Sequence, residues 1–363
     1  MTKSSWGWRL AAALAGLALV VGVAGCGDDD DGGGTGEPVT LKLGYVTPPA
    51  HPYGLAVDHF AEQVNQRSEG NITIETLPTY GGGNDLQLLQ DVIGGTTDMG
   101  SISTAVWSSQ GVRAFDALQA PFLIDRYDLE REVITGEIGQ EMLAAVDELG
   151  LVGLAIHEGG LRKPLGAKAP LTSLADFDGL KIRSVQSDVL ATGLRALGAD
   201  PAPLPIGDVY GALRDGTVDA MEANLGLVAT FQYYEVADFI TANVNFWPFP
   251  TALVINKDKF DSLSEEQQNF LTEVGAEIPG FSIDIFEMPS DLPQTLCDEG
   301  IQFAISTPEE VAELRTAGET AIEQLSADEQ TGDFITRIQE VKDGLGPPAA
   351  PPPLPEGCVV SSG

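Results

Sequence analysis

The chain has 363 residues, 54 of them acidic and 19 basic, for a formal net charge of −35 with histidine neutral. Such an imbalance repels nucleic acid over most of the surface and argues against it as a partner; it repels anionic lipid headgroups too. Hydrophobic residues make up 43% of the chain, and the roughly 310 residues between the two unusual ends amount to about two domains.

The N-terminus has the layout of a secretory signal over residues 1–25. Lys3 and Arg9 precede an apolar run, Leu10 to Val23, that ends in Val23-Ala24-Gly25-Cys26. The run is shorter than the roughly 18–20 residues of a spanning helix. The Cys after small residues resembles the lipobox of bacterial lipoproteins, which implies acylation of Cys26 and an extracytoplasmic, lipid-anchored protein in the periplasm or on the outer face of the cytoplasmic membrane. The alternative is an ordinary signal with an incidental Cys. Residues 1–25 hold two basic and no acidic groups, so cleavage leaves 17 basic against 54 acidic residues, a net of −37. Membrane holding then falls to the acyl chains. Residues 26–37, with Asp28 to Asp31 among glycines, form a solvated tether; a calcium loop would need a ligand spacing and closing Glu that are missing.

The body alternates strand and helix patterns. Leu41 to Val46 predicts a strand, and Pro52 to Glu69 a helix with Leu55, Phe60 and Val64 on its apolar face. Asn71 to Glu75 alternates as a strand. Asn84 caps a helix carrying Leu86, Leu89, Val92 and Ile93, closed by Gly94-Gly95. Asp98 to Ile102, Leu151 to Ile156 and Leu180 to Val185 are strands; Val189 to Leu197 and Asp208 to Arg214 are helices; Val218 to Ala223 is a strand. Phe246 to Asn256 predicts a long apolar strand, and Gly300 to Ser306 a late one. Ser264 and Thr307 open helices with capping-box spacing, the second running to Gly344 with a break near Asp328 to Gly332. This alternation is α/β layering. Gly95-Thr96-Thr97-Asp98-Met99 and Gly216-Thr217-Val218-Asp219-Ala220 each follow a helix and open a strand, which suggests two lobes of similar build. Ligands in open α/β sheets lie beyond the carboxyl ends of strands, so Ser101, Ser103, Glu222 and Asn224 are placed near the opening between lobes.

Catalytic signatures are sparse. His51, His59 and His157 are too scattered for a metal site, and nucleophile-elbow, zinc-helix and phosphate-loop motifs do not occur. Neither a cofactor nor a metal is expected, and no enzyme. Arginine stands out instead: only 11 exist in this acidic chain. On the strand Leu180 to Val185, alternation puts Lys181, Arg183 and Val185 on one face, with Arg183 near the carboxyl end. A guanidinium there can hold a carboxylate by two parallel hydrogen bonds; the plain alternative is a surface arginine paired with an acid.

Leu174-Ala175-Asp176-Phe177-Asp178-Gly179-Leu180-Lys181-Ile182-Arg183 resembles a signature of the DctP-like substrate-binding proteins of TRAP transporters. So do Pro203-Leu204-Pro205-Ile206-Gly207-Asp208-Val209-Tyr210, Gly216 through Glu222, His51-Pro52-Tyr53, Pro121-Phe122-Leu123 and Asn256 to Phe260, over about residues 40 to 340. The resemblance implies a two-lobed α/β fold like that of periplasmic binding proteins, with hinge strands and a long helix bracing both lobes. It implies that Arg183 pairs with a small organic acid ligand, that Arg162 in Gly160-Leu161-Arg162 assists, and that the lobes close before delivery to the transporter's membrane subunits under a sodium or proton gradient. Two departures bear on the pocket. Members often carry Glu-Asn-Pro where this chain has Glu222-Ala223-Asn224, and an aromatic where it has Ile206. Glu222 is expected to orient an arginine; Asn224, Ser103 and Trp247 are further ligand-binding candidates, with Phe246 beside Trp247; Trp107 and His51 are weaker ones at the rim.

The expected division is lobe one at 38–159 and 247–288, lobe two at 160–246 and 289–345, and a Pro-rich tail at 346–363. Cys297 and Cys358 are either bridged, tying the tail down, or two free thiols. The leading expectation is an extracytoplasmic solute receptor. Presenting the ligand to a membrane sensor is one alternative, and a secreted hydrolase on the same two lobes another.

Overall fold

A computed structural model describes residues 36–287, 291–348, 350 and 353–361. The predicted signal at 1–25, Cys26 and most of the predicted tether at 26–37 lie outside the described residues. No described helix is long and apolar enough to cross a membrane.

Two sheets organise the chain. The first takes the order β2-β1-β3-β10-β4, from β1 (Val39–Gly44), β2 (Ile72–Leu77), β3 (Met99–Ser103), β4 (Leu151–His157) and β10 (Thr251–Asn256). Here β1 runs parallel to β2 and β3, and the returning β10 is inserted antiparallel between β3 and β4. Parallel neighbours need helical crossovers, supplied by α1 (Pro52–Arg67) and α2 (Asp85–Ile93). The second sheet has the order β12-β11-β9-β5-β8-β6-β7, from β5 (Lys163–Gly166), β6 (Lys181–Ser184), β7 (Asp200–Pro203), β8 (Ala220–Ala223), β9 (Phe239–Thr241), β11 (Gln302–Ile305) and β12 (Val359–Ser361). Pro201 and Pro203 sit in β7, the edge strand, where a missing N–H is tolerated. The remaining helices are α3 (Tyr127–Thr135), α4 (Glu137–Ala144), α5 (Asp188–Ala196), α6 (Val209–Arg214), α7 (Leu225–Thr230), α8 (Lys257–Asp261), α9 (Glu265–Glu287), α10 (Leu292–Asp298), α11 (Pro308–Leu325) and α12 (Glu329–Gly344).

The sheets are joined at a hinge. The chain leaves β4 through Glu158 to Leu161 and returns through Phe246 to Pro250. Arg162 and Trp247 pair antiparallel there: Arg162 N–H donates to Trp247 O at 2.8 Å, and Phe246 N–H to Arg162 O at 2.8 Å. Two apolar cores follow, one large beneath the first sheet and a smaller one in the second around Leu165, Val209, Met221, Tyr233 and Phe303. The large core also takes in Leu190 and Leu194 of α5, so the lobes share an apolar seam. The seam is tight. A Cβ on Gly193 of α5 would lie 3.0 Å from Pro121 and 3.2 Å from Trp247, and one on Gly318 of α11 would lie 2.9 Å from Phe122. Phe122 itself holds φ at 59°, a left-handed conformation costly for an aromatic, braced by Lys342 Nζ donating to its carbonyl at 2.8 Å.

Several expectations change. Phe60 and Val64 are buried as expected, joined by Tyr53, Ala56, Val57 and Ala61, but Leu55 is 46% exposed because it lies about 140° around the helix from Phe60. The predicted strand Phe246 to Asn256 shrinks to β10, since Pro248 and Pro250 bring no N–H to a ladder. The assignment of 289–345 to the second lobe does not fit α12, which packs on α3 and α4 of the first, whereas α11 packs on α5. Bracing is therefore divided: α9 lies on α1, β4 and α3, and α11 with α12 spans the seam. The tail beyond 346 contributes β12, which extends the second sheet beside β11, and a disulfide joins Cys297 to Cys358 with their Cα atoms 5.8 Å apart. The Ser264 and Thr307 capping boxes form as their spacing predicts.

Candidate ligand-binding site

Arg183 sits on β6 between β7 and β8, its backbone level with Ala202 and Met221. It is 2% exposed. Its Nε and Nη2 donate to the Leu204 carbonyl at 3.0 and 2.8 Å, and Nη1 donates to Glu222 Oε1 at 3.3 Å. A guanidinium carries five N–H groups, so three bonds leave one donor on each terminal nitrogen, the fork that matches a carboxylate.

Glu222 on β8 is fully buried and joins a second arginine. Arg162 Nη1 lies 3.4 Å from Glu222 Oε2, and the Arg162 guanidinium lies 3.9 Å from the centre of the Phe249 ring. Arg162 Nε and Nη1 have no hydrogen-bond acceptor, nor has Glu222 Oε2 a donor. Burial pushes the Glu222 carboxyl above its ordinary value while the two guanidiniums pull it down. The same burial pulls Arg162 below its ordinary value, Glu222 opposing it. At 3.3 and 3.4 Å the charges support one another. Two cations against one anion leave one positive charge, in a chain whose overall charge is −35. Removing either arginine leaves Glu222 one cation in place of two, and removing Arg183 also takes the hydrogen bond on Oε1, a costly loss for a buried charge.

The other expected residues are occupied elsewhere. Asn224 caps α7: its Oδ1 accepts from Leu227 N–H at 2.8 Å, and its Nδ2 donates to Gly159 O at 2.7 Å. Gly160 holds φ at +102°, and a Cβ there would overlap Asn224, so a glycine is required. His51, buried and capping α1, lies 3.4 Å from Asn224 Oδ1 through Nε2. Ser103 Oγ accepts from Ala105 N–H at 3.2 Å. Trp247 is buried, stacked on Phe246 with ring centres 5.1 Å apart. His51 and Trp107 are both buried rather than at a rim. The structure thus gathers Arg162, Arg183 and Glu222; it sets Asn224 and Trp247 at the hinge beside them and Ser103 on the opposite sheet. The Cys297–Cys358 pair lies beside β11 and β12. Among the described residues, no group of three or more metal-ligating side chains clusters.

Sequence reasoning passed over three neighbours. Glu158 is fully buried at the crossing, raised to about 8 by burial, with its Oε1 accepting from Gly160 N–H. His157, lowered to about 3 by burial, shares its Nε2 with Ser101 Oγ at 2.6 Å and Thr251 Oγ1 at 2.8 Å. Asp85, the first residue of α2, accepts from Ser103 N–H at 2.9 Å. Burial raises it to about 6, against that hydrogen bond and the nearby charges of Arg183 and Arg162. Solvent still reaches it in part. The lobes meet just beside it: Ile206 N–H donates to Gly83 O at 3.3 Å, and a Cβ on Gly207 would overlap the Gly82 carbonyl.

Comparison with known proteins agrees with this architecture. The 2,3-diketo-L-gulonate-binding periplasmic protein of Escherichia coli is 31% identical over 241 residues, 66% of this chain and 72% of that one. A TRAP periplasmic solute-binding protein of a Bradyrhizobium species, solved with galacturonate, is 30% identical with a TM-score of 0.77, covering 83% of this chain and 100% of the other. The sugar acid binding protein of Advenella mimigardefordensis, solved with galactonate, is 27% identical with a TM-score of 0.79, covering 85% and 99%. Residues 43–329 match the DctP family, described as bacterial extracellular solute-binding protein, family 7, and with two sheets, a paired hinge and a buried arginine cluster beside it, the chain belongs to that family.

Proposed function

We propose that this chain is the solute receptor of a TRAP-type transporter and that it captures a small organic carboxylate on Arg183. The observation that carries this reading is the pair of unused N–H donors on a buried guanidinium already fixed by Leu204 and Glu222. A fork fixed in advance loses little side-chain entropy on binding. Each charge-assisted bond contributes roughly 1.5–3 kcal/mol. Relatives support the class: one protein at 31% identity is named for binding 2,3-diketo-L-gulonate, and one at 27% for binding C4-dicarboxylates.

Arg162 supplies further donors to the anion, and Glu222 orients both guanidiniums. Asn224 and Trp247 hold the hinge, and Ser103 holds Asp85 and the turn after β3. Closure brings Ile206 and Gly207 against Gly82 and Gly83, so a ligand touching both sheets favours the closed form. Cys26 carries the lipid anchor, and the loaded protein delivers to the membrane subunits of the transporter. Binding and release without turnover fit a site of guanidiniums and one orienting acid.

Thermal unfolding of the purified chain against a panel of organic acids and their amides tests the reading. A ligand that binds only the folded state at a hundred times its Kd stabilises by about 2.7 kcal/mol. A rise with acids and none with the matching amides is expected; a cooperative melt unmoved by any acid would remove Arg183 from the centre of the mechanism.

A further inference from the structure

A carboxylate of the other lobe, Asp85, lies near enough to Arg183 and Arg162 for their charges to act on it. Asp85 starts α2 in the first lobe, where Ser103 N–H fixes it at 2.9 Å. Two residues before it, Gly83 O takes the Ile206 N–H. Two residues before Ile206, Leu204 O holds the Arg183 guanidinium. Asp85 and Arg183 therefore flank one cross-lobe contact, each about two residues of chain from it, at most roughly 7 Å apiece. Asp85 retains partial exposure, Arg183 retains two free donors, and Arg162 beside it has two buried nitrogens without acceptors.

We infer that Asp85 is the specificity-determining residue of this site: it accepts a hydroxyl of a ligand whose carboxylate lies on Arg183, so the chain selects hydroxylated monocarboxylates and rejects dicarboxylates. This rests on the carboxylate reading above. An ionised aspartate only accepts hydrogen bonds. Facing a ligand hydroxyl it is satisfied. Facing a methylene it is desolvated without a partner, and facing a second carboxylate it meets a like charge. Sites built to bond a substrate hydroxyl reject analogues lacking it far more strongly than apolar pockets reject a missing methylene. Burial of Asp85, which already raises its proton affinity, deepens both penalties.

The test is calorimetric titration of the purified chain at neutral pH with galacturonate, gluconate and glycerate, with succinate and malate, and with butyrate. At least one hydroxylated monocarboxylate is expected to bind, with succinate, malate and butyrate weaker by roughly tenfold or more. Asp85→Asn, which keeps an acceptor for Ser103 N–H, should weaken the hydroxy acid by roughly tenfold and narrow the gap to succinate. Asp85→Glu should restore the preference for hydroxy acids. Unchanged hydroxy-acid binding in a cooperatively melting Asp85→Asn protein would overturn the inference. So would a parent chain that binds succinate or malate as tightly as its best hydroxy acid. If the parent binds no acid at all, the carboxylate reading fails and takes this one with it; Arg183-dependent binding that ignores Asp85 sinks only the second.

Discussion

Two buried polar clusters meet at the hinge, and they are built on opposite principles. One is the Arg162–Glu222–Arg183 set, which keeps its charges and leaves hydrogen-bonding capacity unused: two donors on Arg183, two nitrogens on Arg162 and one oxygen on Glu222. The other comprises His51, His157, Asn224 and Ser101, whose polar atoms are mostly spent on one another or on the backbone, with the histidines held neutral. Buried groups are ordinarily paired. At the hinge, leftover capacity on the paired guanidiniums therefore marks a place built for something outside the chain, whereas pairing that leaves only His157 Nδ1 without a partner marks structure. By that measure Arg183 and Arg162 belong to the ligand, and Asn224 to the hinge.

The sharpest way to break this contrast is at Arg183. Arg183→Ala should abolish binding measurable by calorimetry, because it removes the fork and the hydrogen bond on Glu222 Oε1. Arg183→Lys keeps the charge but gives no planar fork, and should weaken binding by roughly a hundredfold, about 2.7 kcal/mol. A lysine variant binding like the parent would mean that charge alone, not geometry, holds the ligand.

The neutral cluster should declare itself in acid. Burial lowers both His51 and His157 to about 3 from 6.5. Their contribution to stability is thus fully present above pH 6.5 and lost as pH falls toward 3, because the unfolded chain takes up protons that the folded one refuses. Buried acids act in the other direction: Glu158, raised to about 8, and Asp85 and Asp116, each raised to about 6, hold protons in the folded state over the middle of that range. The expected profile, from denaturant unfolding at a series of pH values, rises gently as pH falls to roughly 4.5, where the acids outweigh the histidines, and declines below it at about 1 kcal/mol per pH unit, well under the roughly 2.7 that two histidines alone would give. His157→Gln should flatten the acid limb, because it removes one of the two protons that drive it, and leave acid binding at neutral pH untouched. An unaltered limb would mean that His157 titrates normally and is not the sealed group its two hydroxyl partners suggest.

Much of this contrast was legible in the amino-acid order, and the reasons it was not complete are physical. Arg183 stood out because a charged residue on the alternating strand Leu180 to Val185 has few explanations, and the capping boxes at Ser264 and Thr307 are local chemistry that spacing alone encodes. Asp85 was hidden. At the first position of a helix an acid is ordinary, and only the fold sets it within the field of Arg183 and Arg162. Nothing in the sequence marks His157 and Glu158 as buried, since burial is a property of the surroundings and not of the dipeptide. Leu55 was misplaced because at 100° per residue it lies about 140° around α1 from Phe60, whereas Phe60 and Val64 share the face that packs against β2 and α9.

Asn224 tests the structural side of the contrast. Asn224→Ala removes the α7 cap and leaves Leu227 N–H and Gly159 O without their partner, so a loss of about 1–3 kcal/mol in chemical denaturation is expected. Affinity for the acid should change by less than roughly threefold. A stable variant that has lost binding would move Asn224 from the hinge to the ligand.

The smallest expected effect isolates closure from contact. Gly207 approaches the Gly82 carbonyl so closely that any Cβ overlaps it, yet neither residue supplies a polar side chain to the site. Gly207→Val leaves the arginine cluster and both cores in place and obstructs only the approach of the two lips. If ligand binding draws part of its energy from that approach, the variant pays in the closed state alone: its melting temperature without ligand should match the parent's, while its Kd rises by roughly tenfold, about 1.4 kcal/mol. Small-angle scattering with saturating ligand should then give a larger radius of gyration than the parent. Equal affinity and equal compaction would mean that the contact between residues 206–207 and 82–83 is incidental, and that Arg183 and Arg162 hold the ligand without help from the opposite lobe.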